Sequence, residues 1–163
     1  MAARDDAQTR FAVIHAVVPV LNEEPNVSVL VGRLKDALQP FAPYRVLFVD
    51  DGSTDRTANV LAGQGPEVEV VSHARNQGPG AAFRTGFTRV LETLKPEDLV
   101  LTLEGDGTSD LAILPRMLGR IRGEDDDIVL ASCYLFGGGI KRTAAHRVGL
   151  SHLANGLVKQ TLG

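Results

Sequence analysis

Three short segments of the 163-residue chain gather carboxylates among turn-forming residues: Asn22-Glu23-Glu24, Asp50-Asp51-Gly52-Ser53-Thr54-Asp55 and Glu104-Gly105-Asp106-Gly107-Thr108-Ser109-Asp110. Any one of them reads as an ordinary turn or helix cap, because Asp, Asn, Gly and Ser are favoured there. Three together at one edge of a fold are another matter. Their repulsion is tolerable when a hard cation, or several hydroxyl and N–H donors of a ligand, sits between them. Glu104 and Asp106 flank a single small residue, so both can reach one ion, or one takes the ion and the other a ligand hydroxyl. Oxygen-only ligation with no Cys or His nearby points to Mg2+ or Mn2+, which complete their shells with water and phosphate oxygens. A diphosphate ligand would fit.

The periodicity of the chain supplies the elements that must position these segments. Residues 12–20 (AVIHAVVPV) predict a buried strand, and Val27, Leu30, Val31, Leu34 and Leu38 form one stripe of a helix that stops near Pro40. Residues 45–50 predict a second strand, 57–61 a short helix, 68–72 a third strand and 80–94 a helix ended before Pro96. Residues 99–104 predict a fourth strand, 111–121 a helix and 128–134 a fifth strand. Strands with few polar interruptions alternating with helices predict an α/β fold: a mainly parallel sheet with helices on both faces. In such sheets ligands gather at the carboxyl ends of the strands. All three acidic segments follow predicted strands.

Composition limits the remaining choices. The chain is 44% hydrophobic and 23% charged with a net charge of −3, which fits one globular domain and argues against charge-driven nucleic-acid binding. One cysteine, Cys133, excludes an internal disulfide and a thiolate zinc cluster and fits a reducing compartment. No apolar run approaches the roughly 18 residues that cross a bilayer, and the first ten residues do not read as a signal peptide. A cytoplasmic domain is expected. From Ile128 onward there is no Asp or Glu, only Lys141, Arg142, Arg147 and Lys159 as charged groups, so an acidic body ends in a basic tail.

In this order, VVPVLNEEPNV, FVDDGSTDRT, HARNQGPGAAFRTGF, LTLEGDGTSD and ASCYLFGGG resemble the family 2 glycosyltransferases of the GT-A fold, and within them the dolichol-phosphate mannosyltransferase-like enzymes. The resemblance implies a nucleotide-sugar-binding, Rossmann-like domain over 1–163. Residues 1–10 would be flexible, 12–134 the donor-binding part and 135–163 the start of the acceptor side, with the C-terminal part incomplete. It implies an inverting, metal-dependent transferase that moves a sugar from a nucleoside-diphosphate sugar to a polyprenyl phosphate, peripherally at the cytoplasmic membrane face. Carried over by position, Pro19, Leu21 and Glu23 form the first nucleotide-contacting loop. Phe48, Asp50 and Asp51 meet base and ribose, and Gly105 lies in the donor site. Glu104 and Asp106 are the catalytic metal ligands for Mg2+ or Mn2+, and Arg147 with Ser151 faces the acceptor phosphate. Three positions depart from the pattern: Leu21 replaces an aromatic residue, Glu104 an Asp and Cys133 an Arg.

Two other readings of function stay open on the sequence: a nucleotide-sugar-binding module without turnover, and a transferase for a soluble hydroxyl acceptor. The latter would need a carboxylate base, for which Asp110 competes with a helix-capping role. The stretch Gly78-Pro79-Gly80-Ala81-Ala82-Phe83 imitates a dinucleotide fingerprint but puts Phe83 where a third glycine belongs. His15 and His73 are expected to be structural, and His146 and His152 lie on different faces of a predicted helix.

Overall fold

Two of the most apolar runs in the chain become the central strands of a four-stranded parallel sheet. The computed structural model describes residues 11–41, 43–123 and 126–132. Its elements are β1 (Ile14–Val20), α1 (Glu24–Leu38), β2 (Tyr44–Asp50), α2 (Thr57–Ala62), β3 (Val68–Ser72), α3 (Pro79–Leu91), β4 (Leu99–Thr102), a 3-10 turn (Leu111–Ile113) and α4 (Leu114–Gly123). The strand order is β3-β2-β1-β4, with Val17 of β1 opposite Leu47 of β2 and Thr102 of β4. Stepping from β1 to β2 to β3 in one direction, right-handed crossovers put α1 and α2 on the same face. The return from β3 past two strands to β4 puts α3 on the other. Accordingly α3 packs on β1 and β2, while α2 packs on β2 and β3 beside α1. The order reverses between β1 and β4, and in open parallel sheets ligands bind at the carboxyl ends of the strands beside such a switch point.

Both faces are filled. Val17, Leu47 and Val49 meet Ala82 and Val90 of α3, with Phe83 and Leu94 packed around them. On the opposite face Ala16, Val18, Val46 and Phe48 are buried, as is the whole α1 stripe of Val27, Leu30, Val31, Leu34 and Leu38. Each such Val, Leu or Phe contributes about 1.5–3 kcal/mol when fully buried. Close approach of α3 depends on Gly86, where a Cβ would collide with Cγ1 of Val17 and lie 3.3 Å from Cγ2 of Val49. The packing glycine thus stands three residues beyond Phe83, not at it.

At the amino edge Asp98 fastens β4 to β1. Its Oδ1 accepts the Val13 N–H at 3.0 Å, and its Oδ2 accepts the Lys95 N–H at 3.0 Å and lies 3.3 Å from His15 Nε2. His15 is buried, in keeping with a structural part.

The chain divides into two compact units, Met1–Leu118 and Gly119–Gly163. In the second, Arg120 Nε donates to Asp126 Oδ2 at 3.0 Å. The expected fifth strand over 128–134 is corrected here: residues 128–132 form no strand, and Ile128 and Leu130 are 76% and 81% exposed. An apolar β-prone run becomes a strand only with a partner edge and a surface to cover it. The other element ends move by a few residues. β4 stops at Thr102, so Glu104 belongs to a turn, and the expected helix over 111–121 begins as a 3-10 turn.

Candidate functional site

The loops after β1 and β2 are bonded to each other along their length. Asn22, at φ 56°, donates its N–H to Ser53 Oγ at 2.8 Å and accepts the Thr54 N–H on its side-chain oxygen at 2.8 Å. The Glu23 N–H donates to Thr57 Oγ1 at 2.8 Å, and the Glu24 N–H to Asp55 Oδ2 at 3.2 Å. Asp55 Oδ1 accepts from the N–H and hydroxyl of Thr57, and the hydroxyl bond is the leading cause of the lowered pKa of this carboxyl. Two of the acidic segments are therefore largely occupied in holding each other. Glu24 is paired with Arg56 at 2.6 Å, and Glu23 accepts from Asn26 Nδ2 at 2.7 Å.

Asp50 and Asp51, adjacent at the end of β2 and both buried, are bonded very differently. Asp51 Oδ1 accepts the Gln77 N–H at 3.0 Å and lies 2.7 Å from His73 Nδ1, and its Oδ2 accepts the Gly78 N–H at 2.7 Å. Burial pushes the Asp51 carboxyl up, but the Gln77 N–H, the His73 ring and the Gly78 N–H outweigh it, so its pKa lies below the ordinary carboxylate value. An ionised carboxylate only accepts, so His73 Nδ1 carries a proton; in the neutral ring Nε2 then accepts from the Thr85 hydroxyl, 2.9 Å away. Gly52, at φ 77°, lets this turn lie against the backbone of Arg75 and Asn76, where any Cβ would clash. Asp50 Oδ1, in contrast, accepts only the Ser53 N–H at 3.1 Å, and its Oδ2 receives no hydrogen bond among the described residues. A carboxylate 3% exposed with an unmatched oxygen is costly unless a ligand supplies the donor.

The third acidic segment rests on the end of β1. A Cβ at Gly105 would collide with the Pro19 carbonyl oxygen and Val20 Cγ1, so only glycine allows the turn to sit there. Glu104 and Asp106 on either side are exposed. Asp106 Oδ1 accepts the Thr108 N–H at 2.9 Å and the Thr108 hydroxyl at 2.7 Å, while Oδ2 has no partner among the described residues. Asp110 Oδ1 accepts the Ala112 N–H at 3.2 Å as cap of the 3-10 turn.

The sequence-derived candidates thus separate into groups. Pro19, Leu21, Glu23, Asp50, Glu104, Gly105 and Asp106 all belong to the carboxyl edge of β1, β2 and β4, Pro19, Leu21 and Glu23 being half-buried. Asp51 is at the same edge but bonded inward. Phe48 is wholly buried, so the expected ring contact with a base gives way to a core role, because an even-numbered β2 residue faces the helices on that side. Arg147, Ser151 and Cys133 lie outside the described residues. Among the described residues no three His, Cys, Asp or Glu side chains form a metal cage. The three acidic segments share an edge without converging on one point. A groove of about 510 Å3 between α1 and the 3-10 turn includes Arg33 and Asp110 but neither Asp50 nor Asp106. The roles of Arg33 and Thr57 had no local signal in the sequence, since their partners are remote in the chain.

Residues 15–161 match the sequence profile of "Glycosyl transferase family 2". The chain belongs to glycosyl transferase family 2. It is 31% identical over 121 residues to undecaprenyl-phosphate 4-deoxy-4-formamido-L-arabinose transferase of Yersinia enterocolitica, covering 71% of this chain and 35% of that protein. It is 33% identical over 125 residues to undecaprenyl-phosphate mannosyltransferase of Micrococcus luteus, covering 75% of this chain and 49% of that protein. The chain therefore spans less than half the length of these relatives. Glucosyl-3-phosphoglycerate synthase from Mycobacterium tuberculosis, solved with Mn2+, UDP and glucosyl-3-phosphoglycerate, has a TM-score of 0.53 at 20% identity, over 70% of this chain and 41% of that one. The family 2 chain has the GT-A fold that its motifs imply. No helix among the described residues is long and apolar enough to cross a membrane.

Proposed function

We propose that the carboxyl edge of β1, β2 and β4 is the donor site of a transferase that moves a sugar from a nucleoside-diphosphate sugar to a polyprenyl phosphate, working peripherally at the cytoplasmic membrane face. The observation that carries this reading is Asp50, a buried carboxylate at the carboxyl end of β2 with one oxygen unmatched among the described residues. It would accept from N–H or O–H groups of the nucleoside, with Pro19, Leu21 and Glu23 half-buried at the same strand edge. The names of the relatives support the acceptor class.

Glu104 and Asp106 fit a divalent cation by their chemistry: two exposed, oxygen-only ligands, with Asp106 Oδ1 held by Thr108 and Oδ2 unbonded among the described residues. So few protein ligands suit Mg2+ or Mn2+, which take the rest of their shell from phosphate and water. When bound, the ion would supply charge neutralisation on the leaving diphosphate. The residues of the chain orient: Asp50 fixes the nucleoside, the 104–110 turn fixes the diphosphate end, and Arg147 with Ser151 would hold the acceptor phosphate. A phosphate oxygen is already anionic near neutral pH, so displacement with inversion at the anomeric carbon needs no general base from the protein.

Calorimetry with UDP- and GDP-sugars, with and without Mn2+, followed by transfer to a polyprenyl phosphate, tests the reading. The expected result is binding strengthened by Mn2+ and a glycosylated lipid product. Binding without transfer to any acceptor would reduce the chain to a donor-binding module, and failure to bind either nucleotide sugar would overturn the assignment.

A further inference from the structure

The turn that carries Glu104 and Asp106 is gripped by a residue of a remote helix. Arg33 of α1 donates from Nη1 to the Gly107 carbonyl at 2.9 Å and from Nη2 to the Ser109 carbonyl at 3.0 Å. These carbonyls lie on either side of Thr108, whose N–H and hydroxyl both bond Asp106 Oδ1. Gly107 takes φ 72°, so the chain reverses sharply between the carboxylate and its clamp. The result is an unbroken series of hydrogen bonds from the guanidinium through the 107–109 backbone to one oxygen of Asp106. Among the described residues Arg33 has no carboxylate partner. A guanidinium ordinarily takes a carboxylate; here its planar fork spans two carbonyls two residues apart, a geometry that a lysine ammonium does not reproduce.

We infer that Arg33 is a positioning residue for the cation-binding turn, setting the geometry of Asp106 through Thr108. This rests on the proposed reading of Glu104 and Asp106 as cation ligands. It makes Arg33 part of the donor site although it touches neither donor nor ion. Partners of metal ligands commonly set affinity by orienting the ligand atoms.

The test compares wild type, Arg33→Met, Arg33→Lys and Asp106→Asn. Mn2+ binding is followed by electron paramagnetic resonance with UDP or GDP present, metal-free nucleotide binding by calorimetry, and folding by circular dichroism. Arg33→Met is expected to weaken Mn2+ binding about tenfold while metal-free nucleotide affinity stays within about twofold, with Arg33→Lys between it and wild type. Equal Mn2+ affinity in Arg33→Met and wild type would overturn the role of Arg33 alone. So would a parallel loss of metal-free nucleotide binding, which marks a general structural role. If wild type takes up no Mn2+ with either nucleotide and matches Asp106→Asn, the reading of the cation site fails and the inference with it.

Discussion

The sheet carries a histidine–aspartate pair at each of its edges, and the two pairs are alike. At the amino edge Asp98 joins His15 and two backbone N–H groups, and at the carboxyl edge Asp51 joins His73 and two backbone N–H groups. Both carboxyls titrate below their ordinary value, in each case because hydrogen bonds outweigh a burial term that acts upward. The difference lies beside them. Next to Asp51 stands Asp50, buried and, among the described residues, only half satisfied, and across the end of β1 stand the exposed Glu104 and Asp106. A saturated carboxylate holds the fold; one left with an unmatched oxygen is available to a ligand.

The largest effect should come from the saturated pair at the carboxyl edge. Asp51→Ala strips the acceptor from His73 Nδ1 and the Gln77 N–H and leaves the Gly78 N–H only Asn76 Oδ1, and about 3 kcal/mol of unfolding free energy should be lost in urea titration. A loss comparable to that at an exposed surface residue would show that the 73–78 loop does not depend on Asp51. Asp98→Ala should cost about 2 kcal/mol and leave nucleotide-sugar affinity unchanged, because its edge is opposite the proposed donor site. The same variant should flatten the acid limb of stability. The folded pKa of Asp98 is depressed, so its contribution is complete above the ordinary value of 3.8 and disappears as pH falls through the lower folded value. Urea midpoints from pH 6 to pH 3, compared with wild type, check the slope. Smallest in stability is Asp50→Asn. Asn keeps an acceptor for the Ser53 N–H, so unfolding should shift by no more than about 0.5 kcal/mol while nucleotide-sugar affinity falls about tenfold. A stability loss as large as that of Asp51→Ala would erase the distinction between the two neighbours.

Much of the frame is legible in the residues themselves. The α1 stripe from Val27 to Leu38 is buried at every position read from its spacing, and the first four strands appear where apolar runs predict them. Such elements follow from periodicity because one face must leave water whatever surrounds it. The run at 128–134 carried the same local signal, yet its described part forms no strand, since pairing is a property of the neighbouring edge. Phe48 shows the limit at the site. The family resemblance puts it among the base and ribose contacts, but alternation along β2 puts the ring in the core.

From sequence alone came the acidic turns at strand ends, the alternation of strand and helix, and the motif order that carries the family. These depend on short-range spacing, where residue type and periodicity suffice. Tertiary structure decided which carboxylates are consumed and which remain open: Asp51 bonds to a loop more than twenty residues away, and Arg33 reaches carbonyls more than seventy residues away. Hydrogen-bond satisfaction depends on donors that only the folded chain brings within about 3 Å, and no local pattern encodes it.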